Sequence, residues 1–266
     1  HGCTIMTGVP TMYIALLEAA KSNQERPPLR YGLSGGSAIP VAVIERMKDV
    51  YGIDVHEGYG LTETSPVASF NHRGKPTRVG TVGQPIWGVD VEIADAEIDD
   101  HIELLPRGEL GEIVIRGHLL MKGYLNNPQA TAEAVVDGWF RSGDLGTKSE
   151  DDYITIVDRK KDMIVRNGYN VYPREVEEVL STHPSVSMVA VFGVSHESHG
   201  QEIMACVTLM PGSDATPEEL VAFAQERIAA YKFPRRVEVV DALPLGPSGK
   251  VLKRELVAQY DVQAAQ

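Results

Sequence analysis

A chain of 266 residues, 43% hydrophobic and 23% charged, can bury a sizeable core and suits two units better than one. Its formal charge of −12 and the lack of any long basic stripe argue against a nucleic-acid surface. No apolar run is long enough to span a bilayer, and no signal peptide is visible. Two cysteines, Cys3 and Cys206, give neither a disulfide framework nor metal-ligand spacing. Cys206 sits in the apolar run IMACVTL and reads as a small buried thiol. The start at His1, without Met, reads as a piece of a longer chain.

In chain order, VPTMYIALLEAA predicts a helix from Val9 to Ala20, with Pro10 near its start and Met12, Leu16 and Leu17 at helical spacing. A short strand in LRYGLS leads into a small-residue loop, Ser34 to Ala38. Pro40 then opens a second helix that places Val43, Met47 and Val50 on one side and stops at Gly52. Strand, Gly-rich loop and helix belong to an α/β layer, whose ligands meet the sheet at the carboxyl ends of its strands. From about Gly80 to Asp158, alternating segments DVEIAD, GEIVIRG and YITIVD separated by Gly, Pro and Asp predict a small antiparallel barrel or sheet.

Asp158 to Asp162 (DRKKD) is a run of five charges that should stay wet. A Gly-centred turn at Asn167–Gly168 follows. A compact α+β unit comes next: a helix PREVEEVLSTH, strands VSMVAVFGV and EIMACVTLM, a helix from Thr216 to Ala230 and a strand RRVEVVD. Thr216-Pro217-Glu218-Glu219 supplies the cap, first-position proline and third-position glutamate of a helix start. Cations fall in three local clusters: Arg159, Lys160 and Lys161; Lys232, Arg235 and Arg236; Lys250, Lys253 and Arg254.

Four stretches carry chemistry, each with a plainer reading beside it. Ser34 to Ser37 (SGGS) offers backbone N–H groups without bulk, so a flat ring or phosphate can approach; taken alone it is an ordinary loop. Tyr59 to Thr64 (YGLTET) gathers an aromatic face, two threonine hydroxyls and a carboxylate after a strand. A base can stack on Tyr59, Thr62 can donate to a phosphate oxygen, and Glu63 can hold a hard cation. Otherwise it is a polar turn. Asp144, in the tight Gly-flanked loop expected at WFRSGDLG, suits two ribose hydroxyls, or is an Asx-turn. Lys250, in PLGPSGKVLKREL, is a solvated surface charge or a cation carried into a site when its domain swings in.

Together and in this order, SGGSAIP, GYGLTETSP, GELGEIVIRG, MKGYLNNPQAT, GWFRSGDLG, VDRKKDMIVRNGYNVYPREVEEVL and PSGKVLKREL resemble the adenylate-forming acyl-CoA synthetase family across essentially the whole chain. The resemblance implies α/β plus α+β architecture: the latter part of a large AMP-binding domain, then a small mobile one. Residues 1–158 would be the large-domain part, with an α/β layer at 1–79 and a β-barrel-like subdomain at 80–158. Residues 159–161 would be the hinge and 162–266 the mobile domain.

It also implies a reaction: a carboxylic acid is activated by ATP to an acyl-adenylate, with Mg²⁺, and passed to coenzyme A. By motif, Gly36 and Ser37 with the Glu57-Gly58-Tyr59 backbone would frame the adenine and Tyr59 would stack on it. Thr62 would contact the α-phosphate, Glu63 would hold Mg²⁺, and Asp144 with Arg159 would bind the ribose. Lys250 matches the lysine that bridges carboxylate and phosphate during adenylation, Lys161 the hinge, and Asn167, Gly168 and Asn170 the loop bordering the pantetheine path.

Three departures qualify the match. Glu57 stands where many members have Gln, Val165 where some have Lys, and the Ser/Thr/Gly-rich phosphate loop that lies upstream of SGGS in the family is not in this sequence. The last predicts little or no ligase activity for these residues alone. His56 to Tyr59 and Val82 to Trp87 are expected acid-pocket walls, with Trp87 either shortening the pocket or facing the barrel core. A medium- or long-chain fatty acid follows from overall likeness. Carrier-protein loading, an aryl or luciferin-like acid, and a non-catalytic acyl- or AMP-binding fragment are the alternatives. A cytoplasmic location is expected; oligomeric state stays open.

Overall fold

The computed structural model describes residues 2–23, 26–72, 74–75, 77–247 and 249–264, the last three by backbone alone. His1 and Ser248, which the sequence reading used, lie outside the described residues. Contacts divide the chain into two compact units, His1–Lys160 and Lys161–Gln266. No helix among the described residues is long and apolar enough to cross a membrane.

In the first unit, Ile5–Gly8 (β1), Tyr31–Ser34 (β2) and Val55–Tyr59 (β3) run parallel. Ser69–Phe70 (β4) and Gln84–Pro85 (β5) add antiparallel in the order β1-β2-β3-β4-β5. Helices Pro10–Ser22 (α1) and Val41–Tyr51 (α2) are the crossovers. Gly52 ends α2 in the left-handed conformation, its N–H on the Lys48 carbonyl.

The helical phase differs from the expected one in detail. Tyr13, not Met12, faces the core, because its hydroxyl finds the Leu33 carbonyl at 2.8 Å and Met6 at 3.1 Å; burial pushes that phenol up to about 12. Met12 is 48% exposed, and Val50 is exposed while Val43 and Met47 are buried.

The second sheet is antiparallel, its neighbouring strands in the order 154–159, 139–148, 111–117 and 89–94. Its strands are Val89–Ala94 (β6), Gly111–Gly117 (β7), Trp139–Lys148 (β9) and Ile154–Arg159 (β10), with Val135–Val136 (β8) paired to β9. Pro128–Ala134 (α3) starts on the Asn127 side chain, which accepts from the Ala130 amide at 3.1 Å. Val91, Ile93, Ile113, Ile115, Phe140 and Ile154 form the core here. Each such side chain contributes about 1.5–3 kcal/mol on burial.

The five-charge run is not uniformly wet. Asp158 is 7% exposed and its carboxylate accepts the Arg159 amide at 2.8 Å. Lys160 donates to the Ala96 carbonyl. The amide partner makes the burial of Asp158 tolerable.

The second unit holds a sheet of Ile164–Arg166 (β11), Tyr169–Val171 (β12), Val186–His196 (β13), Gly200–Leu209 (β14) and Arg236–Val239 (β15). The order is β12-β11-β14-β13, with β15 parallel to β14. Pro173–Ser181 (α4) buries Val176 and Leu180 on it, and Pro217–Gln225 (α5) buries Leu220 and Ala224. The Thr216–Glu219 capping box is formed, and α5 ends at Gln225, short of the expected Ala230. Lys253–Ala264 (α6), which the sequence reading did not take as a helix, packs Leu256 and Tyr260 against Phe192 and Cys206. Cys206 is buried as expected, and burial raises its thiol.

Candidate functional site

The parallel strands bring two of the small-residue motifs side by side. Ser34 at the end of β2 pairs with Glu57 in β3, and a Cβ on Gly35 would lie 3.7 Å from the Gly58 carbonyl. Gly36, at φ +84°, and Ser37 are both exposed at this carboxyl edge. Glu57 is buried and its carbonyl accepts the Asn71 amide at 3.0 Å. Gly58 has Phe70 so close that a Cβ would sit 2.7 Å from its ring.

Beyond Tyr59 the chain turns into a short 3-10 segment, Thr62–Thr64. Thr64 is buried and its hydroxyl is committed to the Leu61 amide (2.8 Å) and to the Leu61 and Pro66 carbonyls (3.0 and 2.9 Å). Thr62 is the exposed hydroxyl of the pair. The Glu63 carbonyl accepts the Met121 amide at 2.8 Å, and its Oε1 accepts from the Tyr124 hydroxyl at 3.0 Å. A half-buried carboxylate with a second oxygen suits a hard, oxygen-seeking divalent cation such as Mg²⁺.

Asp144 does not lie in a loop but inside β9, where the ladder to β7 is broken. Glu112 pairs Leu145 and Val114 pairs Arg141, so β9 carries two more residues than β7 over this stretch. On its other side Asp144 is the cross-strand partner of Arg159 in β10, with Arg159 Nε 3.4 Å from Oδ1. Its Oδ2 accepts from the Tyr59 hydroxyl at 2.7 Å. Tyr59 and Asp144 are 8% and 7% exposed. Burial, then the Asp144 charge, holds the Tyr59 phenol well above its ordinary value of 10, so it remains a donor. The structure therefore brings Tyr59, Asp144 and Arg159 together from three separate strands. Trp87, by contrast, is 90% exposed beside His118 and does not face the barrel core.

The remaining sequence-selected residues belong to the second unit. Asn167 and Gly168, at φ +51° and +78°, form the two-residue turn between β11 and β12, as an Asn-Gly pair favours. Asn170 follows in β12, and the Asn167 amide donates to the His199 carbonyl at 3.0 Å. Lys161 lies in a 3-10 turn, Lys160–Asp162, at the start of this unit. Lys250 stands at the base of a loop closed by the Leu245–Val251 bridge, its carbonyl accepting the Gly246 amide at 2.8 Å. His196, His199 and Glu202 bring donor atoms within 4.8 Å of one another, but both Glu202 oxygens are gripped by the Arg166 fork at 2.6 and 3.0 Å, and we assign no ion there.

Three residues near the site escaped the sequence reading: Tyr124, Glu112 and Arg141. Glu112 carried a signal, since a glutamate opening the apolar run EIVI needs a buried partner.

Two family models match: AMP-binding enzyme over residues 1–125 and AMP-binding enzyme C-terminal domain over residues 175–250. The long-chain-fatty-acid–CoA ligase of Bacillus subtilis (strain 168) is 40% identical over 260 residues, covering 97% of this chain and 46% of that protein. The feruloyl-CoA synthase of an Amycolatopsis species is 40% identical over 259 residues, covering 97% and 52%. Among solved structures, ATP-bound MatB from Rhodopseudomonas palustris superposes with a TM-score of 0.89 at 31% identity, over 98% of this chain and 52% of that one. The anthranilate CoA ligase AuaEII with anthranoyl-AMP gives 0.90 at 29%, over 99% and 51%. The fold and both motif-bearing units are thus those of an adenylate-forming enzyme. The chain belongs to the AMP-binding enzyme family, and it spans about half the length of the relatives it matches.

Proposed function

We propose that the protein carrying this chain is an AMP-forming acid–thiol ligase that converts a carboxylic acid to its acyl-adenylate and then to the acyl-CoA. The observation that carries this reading is the Tyr59–Asp144–Arg159 grouping beside the SGGS loop. A buried carboxylate can accept from ribose hydroxyls, and an aromatic ring beside small-residue backbone suits a purine. In this reading Gly36, Ser37 and the 57–59 backbone frame adenine, and Arg159 steadies Asp144 and reaches the ribose. The exposed Thr62 hydroxyl donates to the α-phosphate. Glu63, oriented by Tyr124, holds the Mg²⁺ that neutralises phosphate charge. Lys250 offsets the negative charge that builds as carboxylate and phosphate meet.

Lys161 is proposed as the pivot between residues 1–158 and 162–266, and Asn167, Gly168 and Asn170 as the border of the coenzyme A path. ATP and coenzyme A as substrates favour a cytoplasmic enzyme.

For the acid, the Bacillus relative favours a long-chain fatty acid, and the Amycolatopsis relative, at the same identity, favours an aryl acid. A pyrophosphate-exchange panel on the full-length enzyme separates them: fatty acids are expected to support exchange, and exchange with hydroxycinnamates alone contradicts that choice. Thioester formation with coenzyme A but not with holo-carrier protein is expected in the same preparation. A polypeptide of these 266 residues alone is expected to show little exchange, and robust exchange overturns that expectation.

A further inference from the structure

We propose that Glu112 is a positioning residue of the nucleotide site: its carboxylate, neutralised by Arg141, holds the β9 bulge that presents Asp144. The proposal rests on the reading of Asp144 as the ribose ligand. Glu112 and Arg141 are both buried, with side chains 4% and 8% exposed. One glutamate oxygen, Oε2, accepts from Arg141 Nε at 3.0 Å and Nη2 at 2.6 Å. The other, Oε1, accepts the Gly143 amide at 2.9 Å. Both oxygens are therefore used, one for charge and one for the backbone immediately before Asp144.

That backbone needs a fastening from outside the ladder. A bulge leaves strand amides without cross-strand partners, and a buried N–H without one is costly. Gly143 sits at φ +71°, with nothing within 4 Å of where a Cβ would be, so side-chain packing does not hold it. Ser142 adds a second tie, its hydroxyl donating to the Ile113 carbonyl at 2.6 Å and accepting the Asp144 amide at 3.0 Å. Arg141 also donates to the Ile98 carbonyl, which fixes the guanidinium against a neighbouring loop.

Two well-packed apolar side chains could hold the sheet as firmly as a buried ion pair. What they could not do is accept the Gly143 amide. A glutamine at 112 also fails: its NH₂ must face either the Arg141 donors or the Gly143 N–H, and either arrangement sets donor against donor.

The test compares the unaltered chain with Glu112→Gln, the double variant Glu112→Met/Arg141→Met, and Asp144→Ala. The readouts are thermal midpoint, hydrogen exchange of the Ser142–Asp144 amides, and AMP affinity by calorimetry. Glu112→Gln is expected to lower the midpoint whichever way its amide turns, and to speed exchange and weaken AMP where its NH₂ faces Gly143. The double variant is expected to recover the midpoint, yet exchange these amides faster and bind AMP about tenfold more weakly, the effect of losing one hydrogen bond to a charged acceptor. Recovery of exchange protection and AMP affinity together with the midpoint overturns the proposal and leaves Glu112 a purely structural residue. Should the double variant not fold, Glu112→Ala, which leaves the Gly143 amide no side-chain acceptor at 112, overturns it equally if exchange at Gly143 is unchanged. If Asp144→Ala binds AMP as tightly as the unaltered chain, the ribose assignment fails instead, and the exchange data still judge the fastening.

Discussion

Replacing Lys250 by alanine in the full-length enzyme is expected to slow adenylation about a thousandfold, the size of one well-placed electrostatic contact in an active site. The reason is charge. The acid carboxylate and the α-phosphate are both anions, and their approach gathers negative charge that water alone stabilises poorly in a closed site. Lys250 sits where a loop is pinned at its neck by the Leu245–Val251 bridge and the Gly246–Lys250 and Gly249–Gly246 backbone bonds. Formation of the thioester from supplied acyl-adenylate should largely survive, since that step needs no phosphate–carboxylate approach. Rapid-quench measurement of the two half-reactions checks this, and an equal fall in both contradicts it.

Gly60→Ala is expected to cost about 3 kcal/mol or more, above the usual range for overpacking, because the clash is with main chain. A Cβ at this position would lie 1.7 Å from the Pro66 carbonyl oxygen and 2.9 Å from the Val67 Cα, with no side chain able to give way. The same turn carries Tyr59, Thr62 and Glu63, so opening it displaces the proposed phosphate and cation ligands along with the fold. Differential scanning calorimetry should show the midpoint of the first unit lowered by roughly 6–12 °C. An unchanged midpoint contradicts the tight packing of this turn.

What the sequence made legible was local. The Thr216–Glu219 capping box, the Asn167–Gly168 turn and the Gly52 stop each depend on a few neighbouring residues, and each is formed. Asp137–Gly138, both at positive φ between β8 and β9, is an equally local hairpin signal that went unused. The contacts that build the site are not local. Tyr59 meets Asp144 across 85 residues of chain, and Arg141 meets Glu112 across 29, so neither pairing is written in any spacing. Asp158 shows the limit of composition: a charge run marks a wet segment only until one of its members finds a backbone donor. Family likeness supplied Asp144, Arg159 and Lys250 as ligands by motif. It supplied neither the bulge nor Glu112, which depend on how β7 and β9 fall out of register.

The most direct test of a nucleotide site built on Tyr59, Asp144 and Arg159 is a calorimetric titration of AMP into this chain and into its Asp144→Ala variant. One AMP per chain, with affinity falling at least about tenfold in the variant, is the expected result. No binding by the unaltered chain, or equal affinity in both, would contradict the assignment.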